Sequence, residues 1–136
     1  MKPTSPRTDA PRILVVDDER EIRQILGEFL TAKGFHVSVV ETGRQALDLC
    51  AEPDTRFDVA LVDWTLPGID GPDVMAQIRD TQPGCHILAI TGHADQVVSA
   101  SAVGTLVEEV FRKPFSLRDL SSRLSTILGR PPIATR

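Results

Sequence analysis

The residues of this chain best suited to chemistry are three aspartates, a threonine and a lysine, each set at or just beyond the end of an apolar run. Asp17 and Asp18 follow the apolar run in "RILVVDDER", Asp63 closes "VALVD", Thr91 closes "ILAIT", and Lys113 lies in "VFRKPF". Adjacent carboxylates at the end of a buried segment repel each other and resist dehydration. Two such charges about 4 Å apart repel by roughly 4 kcal/mol at an effective dielectric near 20. Three in one cleft require positive charge among them. Lys113 supplies one unit and a divalent cation would supply two, which balances three negatives. Oxygen donors with room for waters and phosphate oxygens suit Mg²⁺. The acidic pair is therefore read as part of a metal site.

The elements that must position these groups are legible in the hydrophobic pattern. Continuously apolar runs at 13–16, 59–62 and 87–90 have the character of central parallel strands covered on both faces. The partly polar runs "FHVSVV" at 35–40 and "TLVEEVF" at 105–111 suit edge strands. Ile22, Ile25, Leu26, Phe29 and Leu30 follow one-faced helical spacing, and Gly34 stands where a left-handed C-terminal cap belongs. A second helix is predicted from near Thr42 to before Pro53, and a third from Pro72 to the "PG" at 83–84. A weaker helical pattern lies around 95–103. The last helix opens at Ser116, with Asp119 three residues on in a capping-box arrangement, and buries Leu117, Leu120, Leu124, Ile127 and Leu128. Alternating strands and helices with long crossovers predict an α/β fold, a doubly wound five-stranded parallel sheet with helices on both faces. In such a sheet ligands bind beyond the carboxyl ends of the strands. The five candidate residues converge on that edge.

Each residue also has a plainer reading. Asp18 could cap the first helix, with Glu21 completing the box. Thr91 alone is a turn hydroxyl, and Lys113 alone a surface lysine with a buried stem. Capping explains neither Asp17 nor Asp63, because a "WTLPGIDG" loop separates Asp63 from the next helix. Agreement at four strand ends favours the shared site.

Composition narrows the function classes. The 136 residues are 41% hydrophobic and 25% charged, enough for one ordinary domain. A net charge of −4 gives no broad attraction to nucleic acid or anionic membranes. No run approaches a membrane span, and "MKPTSPRTDAPR" lacks the apolar core of a signal peptide. Cys50 and Cys85 have no metal-type spacing, so reduced thiols in a cytoplasmic setting are expected. The expected organisation is a flexible tail over 1–11, one domain over 12–129 and a short tail over 130–136.

The set "ILVVDDE", "LVDWTLPGIDGPDVMAQIR", "ILAITGHAD" and "KPF", in this order and spacing, resembles the receiver domains of two-component response regulators, from about Arg12 to Leu128. The resemblance implies a flavodoxin-like sheet. It implies that Asp63 is the phosphoacceptor, a carboxylate that becomes an aspartyl phosphate. It further implies Mg²⁺ on Asp17, Asp18, Asp63 and the backbone carbonyl of Thr65. Thr91 matches the hydroxyl that bonds a phosphoryl oxygen, and Lys113 the lysine that pairs with the phosphoryl group, its bond to Pro114 being cis. His93, two residues after Thr91, falls where the family tunes the lifetime of the phosphate. The implied donor is phosphohistidine on a sensor histidine kinase or a histidine phosphotransfer protein, docking at the first helix. The downstream protein is unknown, the expected state is a monomer or weak homodimer, and the chemistry is self-directed rather than that of a turnover enzyme. No DNA-binding or enzymatic segment follows in this sequence, so a single-domain regulator or a piece of a longer protein is expected.

The chain also departs from the family. Val110 stands three residues before Lys113, where an aromatic is usual, and Phe111 is offset by one residue toward the opposite face of the strand. The usual turn before this strand is absent, with Gly104 about two residues early. A non-standard output surface near the 95–103 helix is the expectation. Three competing classes are weaker. A haloacid-dehalogenase-type hydrolase wants a second aspartate where Thr65 stands. A flavin site wants a hydroxyl-rich loop where the acidic pair stands. A phosphorylation-independent interaction scaffold would tolerate loss of an acidic residue or of Lys113, and all are present.

Overall fold

The computed structural model describes residues 10–92 and 106–129. Strands β1 (Arg12–Val16), β2 (His36–Val40), β3 (Val59–Asp63), β4 (His86–Thr91) and β5 (Glu109–Arg112) form one parallel sheet in the order β2-β1-β3-β4-β5. The helices described are α1 (Arg20–Ala32), α2 (Gly43–Ala51), α3 (Gly71–Thr81) and α4 (Leu117–Leu128).

Side-chain alternation divides the core between the two faces of the sheet. Ile13, Val15, Val59 and Leu61 pack with Leu26 and Leu30 of α1 and with Leu120, Leu124 and Ile127 of α4. Leu14, Val16, Ala60 and Val62 pack with Ala46 of α2 and with Val74, Met75 and Ile78 of α3. β1, β3 and β4 are therefore apolar without alternation because both faces are covered. The half-polar β2 and β5 are the edges, as their sequences predict.

Local signals fix the helix ends. After α1 the chain turns left-handed at Gly34 (φ 99°), where Gly34 N–H donates to the Thr31 carbonyl and Phe35 N–H to that of Leu30. These two bonds make a Schellman cap. Thr42 and Gln45 close a reciprocal capping box on α2. The Ser116 hydroxyl accepts the Asp119 N–H at 3.1 Å and starts α4.

Some boundaries differ from the sequence reading. Helix α3 begins at Gly71, with Asp70 before it, one residue earlier than Pro72. Strand β5 spans Glu109–Arg112 instead of 105–111, because its pairing with β4 begins at Leu88 and Glu109. Asp18 does not cap α1: that position belongs to Glu19, whose side chain makes no capping bond. The 95–103 helix, Gly104, His93, residues 1–9 of the N-terminal tail and the 130–136 tail lie outside the described residues. Among the described residues, no helix is long and apolar enough to cross a membrane.

Candidate functional site

The carboxyl edge of the sheet assembles the site through backbone bonds that tie the strand ends together. Asp17 N–H donates to the Val40 carbonyl, Trp64 N–H to that of Ile90, and Lys113 N–H to that of Thr91. Each candidate residue therefore leaves its strand at a fixed height. Carboxylate oxygens of Asp17, Asp18 and Asp63 all lie within 4.8 Å of one another. Lys113 Nζ reaches into the same group, 3.2 Å from Asp63 Oδ2 and 2.9 Å from Asp17 Oδ2. An open hollow of about 470 Å³ faces solvent here, lined among others by Asp18, Glu19, Asp63, Thr65 and Lys113. Thr91 ends β4, buried at 3% exposure. Thr65 is exposed and donates its N–H to Asp63 Oδ1 at 3.0 Å. The Lys113–Pro114 bond is cis.

The electrostatics follow from this geometry. Asp63 is 5% exposed, and burial lifts its carboxyl from the ordinary 3.8 to about 6. The Thr65 N–H and Lys113 pull against that rise, while the Asp17 charge adds to it. For Lys113 burial works against the charged form, yet Glu19, Asp17 and Asp63 outweigh it and raise the ammonium above its usual value. The lysine stays charged throughout the physiological range.

Asp17 is wholly buried. Its Oδ1 accepts the Glu19 N–H at 2.8 Å, but Oδ2 has no hydrogen-bond partner. The ammonium 2.9 Å away attracts Oδ2 as an ion without being aligned to bond it. A buried carboxylate oxygen with an unfilled acceptor position, beside two further carboxylates, is a donor set that fits a hard divalent cation. These residues accommodate Mg²⁺ in ligand type and spacing.

Two glycines shape the loop after Asp63. Gly68 is left-handed (φ 79°), a conformation other residues rarely adopt. Gly71 lies so close to β3 that a Cβ there would fall 2.3 Å from the carbonyl oxygens of both Asp63 and Trp64. Gly71→Ala must therefore push the loop off the strand that carries Asp63. Its expected effect is a loss of about 3 kcal/mol in urea unfolding, the upper range for overpacking. An unchanged midpoint would contradict the close approach.

The sequence reading missed two neighbours of the site. Arg23 donates from Nη1 to the Asp17 carbonyl at 2.9 Å and so braces the β1–α1 turn from one helical turn away. Glu19 is bonded to Lys113 through its carboxylate. Its one sequence signal was its place as a third successive acid. Phe111 does not take the place of the aromatic that Val110 lacks. Val110 packs on the α2–α3 side, whereas Phe111 lies on the α1–α4 side, 6.2 Å ring to ring from Phe115. Cys50 and Cys85 are buried free thiols on the opposite edge. Burial lifts Cys50 to about 11 and Cys85 further still, so neither is a reactive thiolate.

A parallel β2-β1-β3-β4-β5 sheet with three carboxylates and a lysine at its carboxyl edge defines a class of protein, and comparison agrees. The family model described as "Response regulator receiver domain" matches residues 13–125. The chain is similar to the response regulator MprA of Mycolicibacterium vanbaalenii, 34% identical over 119 residues, which are 88% of this chain and 51% of that protein. It thus spans about half the length of the curated relatives it matches. Among solved structures, a CheY-like receiver domain protein from Methanospirillum hungatei superposes with a TM-score of 0.81 at 26% identity, covering 89% of this chain and 95% of that one. The response regulator TrrA of Thermotoga maritima, solved in complex with Mg²⁺ and BeF, gives 0.75 at 29% identity, covering 86% and 98%. This chain belongs to the response regulator receiver domain family.

Proposed function

We propose that this receiver domain is a phosphorylatable switch in a two-component phosphorelay, with Asp63 as the phosphoacceptor. The observation that carries the proposal is the single hollow that gathers Asp17, Asp18, Asp63 and Lys113 from three strand ends. An Asp63 oxygen attacks the phosphorus of a phosphohistidine on a sensor kinase or histidine phosphotransfer protein. The new O–P bond forms as the P–N bond breaks, and the imidazole departs with its electron pair and takes up a proton. Asp17, Asp18, Asp63 and the Thr65 carbonyl would hold Mg²⁺, which supplies positive charge for the phosphoryl oxygens. Lys113 pairs with the phosphoryl group, and the Thr91 hydroxyl donates to one of its oxygens. The domain acts on itself rather than turning over a substrate. Phosphorylation shifts its conformational population and so its affinity for a downstream protein.

Trp64 is the only tryptophan and adjoins Asp63, which supplies the test. Its fluorescence is expected to change on adding Mg²⁺ and again on adding beryllofluoride or acetyl phosphate. Acetyl phosphate should also leave an acid-labile, hydroxylamine-sensitive phosphate, and EDTA should prevent it. A flat fluorescence response with no such phosphate would refute the proposal and leave an interaction scaffold.

A further inference from the structure

Lys113 is a cation with three N–H donors, and three carboxylates already surround it. Two of them, Asp17 and Asp63, belong to the acidic site itself. The third and nearest is Glu19, which is 59% exposed and lies outside the cluster of mutually close carboxylates. Glu19 occupies the capping position of α1, yet its side chain caps nothing and is spent on the lysine. Its backbone N–H is tied to Asp17 Oδ1, so the turn itself presents the side chain to the hollow. Glu19 and Lys113 line that hollow together.

We infer that Glu19 is a built-in competitor for Lys113, holding the ammonium until a phosphoryl group on Asp63 displaces it. The inference rests on the reading of Asp63 as phosphoacceptor and adds a residue that sets how strongly the site favours the phosphoryl group. A phosphoryl oxygen seeking the lysine competes with these three carboxylates for its charge. Asp17 is fully buried and cannot turn out to solvent, and Asp63 carries the incoming group. Glu19 alone can swing into water, where its charge is readily hydrated. It is therefore the partner released. While it remains, its negative charge also opposes the phosphoryl oxygens across the same hollow.

Removing that charge should favour the phosphoryl-bound form. Partly exposed ion pairs are worth up to about 1 kcal/mol, which corresponds to about a fivefold change in affinity. The experiment is titration calorimetry of beryllofluoride into the full chain at saturating Mg²⁺, comparing wild type, Glu19→Gln and Glu19→Ala. Both variants are expected to bind about fivefold more tightly. In a Lys113→Met background the same Glu19 substitutions should change the affinity much less, because they act through the lysine. Affinity unchanged or weakened in both variants would overturn the inference, as would an equal gain in the Lys113→Met background. Weakened Mg²⁺ binding with unchanged beryllofluoride affinity would also overturn it, by placing Glu19 on the metal side. If wild type binds no beryllofluoride at all, the phosphoacceptor reading fails first. If wild type binds and the variants bind no better, the role of Glu19 alone fails.

Discussion

Asp63→Asn is expected to abolish phosphorylation by acetyl phosphate and, in the absence of Mg²⁺, to make the protein more stable at neutral pH. The first effect is chemical, since an amide lacks the nucleophilic carboxylate oxygen. The second follows from electrostatics. The folded carboxyl titrates at about 6 against an ordinary 3.8, so folding favours its protonated form. That preference contributes stability below about pH 4 and is lost as pH rises through about 6. Above that, the native state carries a buried charge beside Asp17 that the unfolded chain would hydrate. A shift of this size corresponds to about 3 kcal/mol undiminished, and screening by the adjoining open hollow reduces it to roughly 1–2 kcal/mol. For a domain of this length that is a rise in Tm of roughly 5 °C at pH 7.5. The gain should shrink toward pH 4. A variant less stable than wild type at pH 7.5, or a gain that does not depend on pH, would show that the charge of Asp63 is not under strain.

The second large effect concerns the lysine. Lys113→Met should destabilise the metal-free protein and enlarge the stabilisation that Mg²⁺ brings. In wild type the ammonium forms ion pairs with the carboxylates of Asp17, Asp63 and Glu19. Its removal leaves buried carboxylates uncompensated. Losing one member of a fully buried pair costs about 3–5 kcal/mol, and this hollow is open to water, so roughly 2–3 kcal/mol is expected. In EDTA the Tm should fall by roughly 10 °C. Lysine and metal answer the same negative charge, so without the lysine more of the metal's binding energy appears as stability. Mg²⁺ should therefore raise the Tm of the variant by more than it raises that of wild type. Under the proposed mechanism phosphorylation should nonetheless be slowed at least tenfold, because Mg²⁺ would not replace an ammonium paired with the phosphoryl oxygens. Equal stability of the two proteins in EDTA would mean that Lys113 is a peripheral surface group.

The sequence carried the sheet because its signals are local. "ILVV", "VALV" and "ILAI" are apolar throughout since both faces are covered, and "FHVSVV" alternates because it lies at an edge. Gly34, Thr42 and Ser116 mark helix ends through bonds spanning only a few residues. The candidate site was legible for a topological reason: parallel strands bring every carboxyl end to one edge, so the residues just beyond those ends must meet. Side-chain pairing across the chain left no such trace. Nothing in its spacing told that Glu19 reaches Lys113 rather than capping α1, or that Arg23 braces the Asp17 carbonyl. Asp18 looked like a cap because its neighbours fit the pattern, but the helix starts one residue later and leaves it facing the hollow. The start of β5 was misplaced for a related reason. "TLVEEVF" is uniformly strand-like, and only pairing with β4 decides where the ladder begins.

The role of Asp63 comes down to one covalent bond, and peptide mapping can locate it. After treatment with acetyl phosphate and Mg²⁺, borohydride reduction converts an aspartyl phosphate to homoserine, which tandem mass spectrometry places in the chain. Homoserine at position 63, absent when EDTA replaces Mg²⁺, is the predicted result. Homoserine at another aspartate, or none in protein shown by calorimetry to bind Mg²⁺, would contradict it.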